Sequence, residues 1–191
     1  MVGDPISQDE TGQDQPRDRG SGLEGPAEVD VWRQKLEELA PPGMAPRGVP
    51  QWTGLMRRNE KKLLRVQAFH GVGVPIGSML SDSVSITLRS PYEELLKKRF
   101  LSLGFLAPAP GQNYANFREY IAYFEGKNRA GVAKQLEHKR LVYVLPHSAP
   151  GLAQALTALQ LSPPIDSGPD ETTSGGMPHL VIVMTALPLD D

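Results

Sequence analysis

The sequence predicts an α+β fold: strands and single helices interleave without the regular strand–helix–strand rhythm of a parallel α/β sheet. Three observations carry this expectation. Short segments such as LLRVQAFH (63–70) and SVSITLR (83–89) alternate apolar and polar residues with the period of a half-buried strand. Single amphipathic stretches separate such segments. The late stretch HLVIVMTAL (179–187) is almost continuously apolar, as for a strand buried on both faces of a sheet. A barrel ringed by helices is among the arrangements that fit.

Residues 1–30 carry eight acids (Asp4, Asp9, Glu10, Asp14, Asp18, Glu24, Glu28, Asp30) against Arg17 and Arg19, and almost nothing large and apolar. Such a segment buries too little surface to offset chain entropy, so an acidic, disordered tail is expected. VWRQKLEELA (31–40) places Trp32, Leu36 and Leu39 on one stripe behind an Asp30 cap, which predicts a short helix. The Pro/Gly-rich PPGMAPRGVP closes a helix-and-linker segment over 31–48, and the compact domain is expected over 49–191.

Within that domain, 49–56 reads as a strand with Trp52 in the core, followed by the two alternating strands. Ser90, Pro91 and Glu93 form a capping-box pattern. It predicts a helix that uses Tyr92, Leu95, Leu96, Phe100 and Leu103 and stops at Gly104. A second helix is expected from about Asn116 to Glu125, with Phe117, Tyr120, Ile121 and Phe124 inward and Gly126 ending it. AGVAKQ (130–135) and RLVYVLP (140–146) read as strands of a hairpin through LEHK, with Gly131 allowing close backbone packing. A third helix follows Ser148 as cap, using Leu152, Leu156 and Leu159. SPPIDSGPDETTSGG (162–176) has the composition of a flexible loop.

Composition removes several function classes. The chain has 191 residues, 39% apolar, enough for one domain with its own core. It lacks cysteine, which excludes disulfides and thiolate chemistry. No apolar run has the length of a membrane span and the start lacks a signal-peptide layout, so a soluble intracellular protein is expected. His70, His138, His147 and His179 are scattered, which predicts no metal site. GVGVPIG (71–77) has the wrong spacing for a dinucleotide loop, and Pro75 with no helix after it leaves no phosphate-binding amides; a flexible connection is expected. No nucleophile elbow or catalytic triad pattern is present. Neither an enzyme nor a cofactor is expected.

Net charge is −2, and the first thirty residues hold −6, which leaves the rest mildly basic at about +4. The bases cluster at RRNEKKLLR (57–65), at KKR (97–99) on the first predicted helix, and at Lys127, Arg129 and Lys134. Such clusters suit an anionic partner. Nucleic acid is one reading, although bases interleaved with sheet-surface aromatics are absent.

The stretch NFREYIAYFEGKNRAGVAKQLEHKRLVYVLPHSAPGLAQAL combines an F-x-x-Y-x-x-Y helix, K-x-x-A-G-V, a strand ending in Pro and a new helix. With WTGLM (52–56) and PHLVIVM (178–184) at the two ends, it resembles the SPOC domain of Spen-type regulators over about 49–187. The resemblance implies a distorted seven-stranded β-barrel framed by helices. It also implies a non-enzymatic, nuclear adaptor that binds phosphoserine or acidic peptide segments of transcription and RNA-processing proteins, such as corepressors or the polymerase II tail. Tyr123 and Lys127 match the family's Tyr-x-x-x-Lys pair, and Arg89 falls near a family arginine. Asn59 stands where some relatives have lysine, leaving Arg58 and Lys61 as substitutes, and Pro146-His147 replaces Pro-Pro. At about 100° per residue, Tyr123 and Lys127 project within roughly 40° of each other. The alternatives are a nucleic-acid-contacting module and a purely structural interaction domain.

Overall fold

The computed structural model describes residues 28–39, 49–58, 63–163 and 177–188. Nearly all of the acidic 1–30 segment, residues 40–48 of the helix-and-linker segment and most of the 162–176 loop lie outside them.

Helix α1 (28–37) begins before Asp30, so Asp30 lies inside the helix and does not cap it. Eight strands follow: β1 Pro50–Arg58, β2 Leu64–Gly73, β3 Ser83–Ile86, β4 Leu88–Ser90, β5 Phe100–Pro108, β6 Ala130–Gln135, β7 Arg140–Pro146 and β8 Leu180–Ala186. Three further helices are interspersed: α2 Tyr92–Leu96, α3 Tyr114–Lys127 and α4 Leu152–Ala158. One sheet holds all the strands in the order β3-β1-β2-β5-β8-β7-β6-β4. Only the β1–β3 pairing is parallel.

The two edges of this sheet are consecutive in the chain. The predicted strand 83–89 is bent at Thr87: β3 pairs with β1, and β4 turns away to pair with β6. Counted as one bent strand, it makes the barrel seven-stranded. The buried Gln135 side chain pins this seam, accepting from Ser81 N at 2.6 Å and donating to Ser83 O at 3.1 Å. Thr87 N donates to Val132 O at 3.1 Å.

Alternate strand residues feed two apolar clusters. One includes Val66, Ala68, Leu106, Val142, Val144 and Ile182, and takes Phe117, Tyr120 and Phe124 from α3. The other includes Leu103, Phe105, Tyr143, Leu145 and Val183 and lies under α1, α2 and α4. Double coverage accounts for the apolar run of β8, whose first six residues are all buried.

Several expectations are corrected. The helix from Ser90 to Leu103 does not exist; α2 is one short segment ending at Leu96, and Phe100 and Leu103 belong to β5. KKR (97–99) therefore follows a helix and does not sit on one. Ser90 caps nothing, its Oγ donating to the adjacent Pro91 carbonyl. The cause is burial on both faces: β5 is apolar on consecutive residues, and such a run has no strand period to betray it. GVG in 71–73 continues β2, and Ile76–Met79 form a 3-10 turn. Gly126 lies inside α3; the helix ends at Asn128, which adopts left-handed φ 54° and donates its N–H to Phe124 O. Ser148 does not cap α4, and its hydroxyl donates to Glu125 at 2.6 Å. Trp52 is half-buried against the core, its indole N–H donating to Ser81 O at 2.9 Å.

Candidate functional site

Three elements meet at the seam. β1 ends at Arg58, which pairs with Ile86 as the last β1–β3 rung. Past that rung, β4 carries Leu88 and Arg89 beside β6. Helix α3 lies over the gap. Its start is capped by Asn113, whose side chain accepts from Ala115 N at 2.7 Å. It can lie close to the strands because Gly131 has no side chain: a Cβ there would stand 2.7 Å from Phe124 and 2.8 Å from Ile86.

Tyr123 is the centre of the arrangement. Helical spacing puts it beside the inward Tyr120 and Phe124 but turned to the boundary, so its ring is half-buried, meeting Phe124 edge-on at 5.3 Å between centroids. The Arg58 guanidinium stacks on the ring, with its central carbon 3.5 Å from the centroid. Arg89 donates from Nη1 to the Tyr123 hydroxyl at 3.3 Å. Lys127 Nζ lies 5.6 Å from the same ring, one helical turn on. Between them is a shallow depression of about 80 Å³ lined by Arg58, Ile86, Thr87, Leu88, Arg89 and Tyr123.

Four of the five residues expected from the sequence are thus brought together: Tyr123, Lys127, Arg89 and Arg58. Lys61 lies outside the described residues. Arg57, the neighbouring base, is engaged elsewhere, donating from Nε to Ser85 Oγ at 3.0 Å.

The electrostatics of the notch are unbalanced. Arg58 Nη1 is buried and has no hydrogen-bond partner among the described residues. A buried guanidinium N–H without an acceptor costs stability. Beneath it, burial pushes the Tyr120 hydroxyl up to about 12, with the Arg58 charge pulling the other way. Tyr120 therefore stays neutral and adds no compensating charge. Lys127 complements the negative end of the α3 dipole, and Arg58 and Arg89 add charge in excess of it.

The sequence reading did not include the walls Ile86, Thr87 and Leu88. Leu88, which the alternation of SVSITLR placed with Val84 and Ile86 on the inward stripe, is instead 52% exposed, because the bend at Thr87 turns β4 away from β3. The stack of Arg58 on Tyr123 carried no signal in the sequence, because it joins residues 65 positions apart in the chain.

Among the described residues, no group of three or more His, Cys, Asp or Glu is gathered around one point, and no helix is long and apolar enough to cross a membrane. Fold and notch together define a helix-framed β-barrel module with a cationic surface site. The SPOC domain family model matches residues 44–185, and the chain belongs to that family. SPOC domains are protein-interaction modules. Among solved structures, the SPOC domain of human PHD-finger protein 3 is similar in fold: TM-score 0.50 at 18% identity, covering 75% of this chain and 100% of that one. No curated protein matches the chain significantly.

Proposed function

We propose that this protein is a non-enzymatic adaptor whose notch at Tyr123 binds acidic or phosphoserine-containing segments of transcription and RNA-processing proteins in the nucleus. The observation that carries the reading is the buried Arg58 Nη1, without a hydrogen-bond partner among the described residues, beside Arg89 and Tyr123. A depression of about 80 Å³ is well below the ≈ 300–1,000 Å³ of metabolite pockets. It suits one anionic head group presented by an extended chain. Arg58 and Arg89 offer forked donors to its oxygens, and Lys127 adds a point charge. The exposed Leu88 gives an apolar neighbour for the flanking ligand residue.

The test is fluorescence anisotropy with a phosphoserine peptide and its unmodified twin at moderate salt. The phosphorylated peptide is expected to bind more tightly, and Arg58→Ala or Lys127→Ala to reduce the difference. Equal binding of both peptides removes the phosphate-reading part of the proposal. A glutamate-containing peptide that binds as well as the phosphopeptide would narrow it to general acidic recognition.

A further inference from the structure

The last rung of the β7–β8 ladder pairs Pro146 with Leu180. One step further, in the same register, His147 and His179 face each other across the two strands. His147 Nδ1 lies 2.6 Å from His179 Nε2, with ring centroids 4.8 Å apart and ring planes at 75°. Both rings are partly buried, and Phe105 meets the His179 ring edge-on at 5.8 Å. The other ring nitrogen of His179, Nδ1, stands 3.3 Å from Met177 O.

We infer that His147 and His179 form a two-histidine binding site for a borderline divalent transition cation, Zn²⁺ or Cu²⁺, with water in the remaining positions. Two imidazole nitrogens that face each other across a strand pair are a donor set such ions favour. A carbonyl accepting from the second ring nitrogen is the usual outer contact of a metal-binding histidine. Here the Met177 carbonyl directs the Nε2 lone pair of His179 toward His147. Tetrahedral Zn²⁺ with Zn–N near 2.0–2.1 Å needs the two nitrogens roughly 3.3 Å apart. The pair must open by less than an ångström, and it sits past the end of the ladder, where ring rotation breaks no rung.

In the metal-free protein a single proton bridges the pair, His147 Nδ1–H donating to His179 Nε2. On binding, that proton moves to His147 Nε2, so both facing nitrogens become donors and the count of protons is unchanged. The Glu125 carboxylate accepts from Ser148, the residue after His147. The pair stands at the ends of β7 and β8 and uses none of Arg58, Arg89, Tyr123 and Lys127, so it does not depend on the proposed peptide binding.

The experiment is isothermal titration calorimetry of the full chain with ZnCl₂ and with CuCl₂ at pH 7, comparing wild type, His147→Ala, His179→Ala and His138→Ala. Electron paramagnetic resonance of the Cu²⁺ form reads its nitrogen ligands. One ion per chain, two imidazole nitrogens in the spectrum, and loss of binding in the first two variants but not in His138→Ala are expected. No saturable binding, or binding unchanged by His147→Ala, overturns the inference. Should His179→Ala unfold through loss of its packing on Phe105, His147→Ala, whose ring is the less buried, carries the test alone.

Discussion

Two of the places where the molecule sets a cation against an aromatic ring differ in how the polar groups end. Under α1, Trp32 is fully buried and meets Phe100 at 5.7 Å, and Lys35 Nζ lies 5.5 Å from the Phe100 ring. Every polar head there has an acceptor. The Trp32 indole N–H donates to Pro150 O at 3.1 Å and Lys35 Nζ to Lys98 O at 2.6 Å. At the notch, Arg58 stacks more closely on Tyr123, yet its Nη1 finds no acceptor among the described residues. An ammonium on Phe100 is saturated in one place, and a guanidinium on Tyr123 is left with an unmet N–H in the other. Under the proposed function, saturation more than the cation–ring contact separates fastening from recognition.

The largest expected effect is on the closed flank. Trp32→Ala removes a fully buried indole and should cost about 3–5 kcal/mol, measured by denaturant unfolding, while peptide affinity of the folded fraction stays unchanged. If stability hardly moved, α1 would not be a fastening at all. Arg58→Ala should do the reverse. It removes hydrogen bonds to a charged ligand worth about 1.5–3 kcal/mol of binding, with little loss of folding stability, because the orphaned N–H disappears with it. A large fall in Tm with unchanged affinity would place Arg58 with Trp32 and erase the contrast.

Lys127→Ala should weaken binding by no more than about 1 kcal/mol, and increasingly less as salt is raised, since the side chain is exposed. A salt-independent loss would mean a desolvated contact. The last test changes nothing near neutrality. Burial pushes Tyr92, on the α1 side, and Tyr120, under the notch, up to about 12. A raised folded value means the folded chain holds its proton longer. The stabilising contribution is present below pH 10 and is lost as pH rises from 10 through 12. Thermal melts of Tyr92→Phe and Tyr120→Phe over that range should each show a shallower alkaline decline than wild type.

Legibility in the sequence followed burial. β6 and β7 have the bounds that AGVAKQ and RLVYVLP gave, because a tight connection through Lys139 in a left-handed conformation fixes their register. β5 was misread as helix because both its faces are covered, so the periodicity that identifies a strand is absent. Tyr123 and Lys127 were legible as a pair because four residues on a helix make neighbours whatever the tertiary fold. Arg58 over Tyr123, and His147 opposite His179, exist only once strand register is known. No local pattern could have reported them.

The bend at Thr87 has a consequence for solubility. An open sheet offers two rows of unpaired amides and carbonyls on which another chain can continue the ladder. Here the two edge strands are joined by one residue, and the Gln135 side chain on β6, the neighbour of β4, ties back to Ser81 and Ser83 at the start of β3, so the barrel's own chain shuts the gap that would otherwise invite a neighbour. β4 is three residues long with Arg89 at its centre. So short and charged an edge is a poor template for growth, and the barrel can keep a cationic notch at its seam without seeding aggregation.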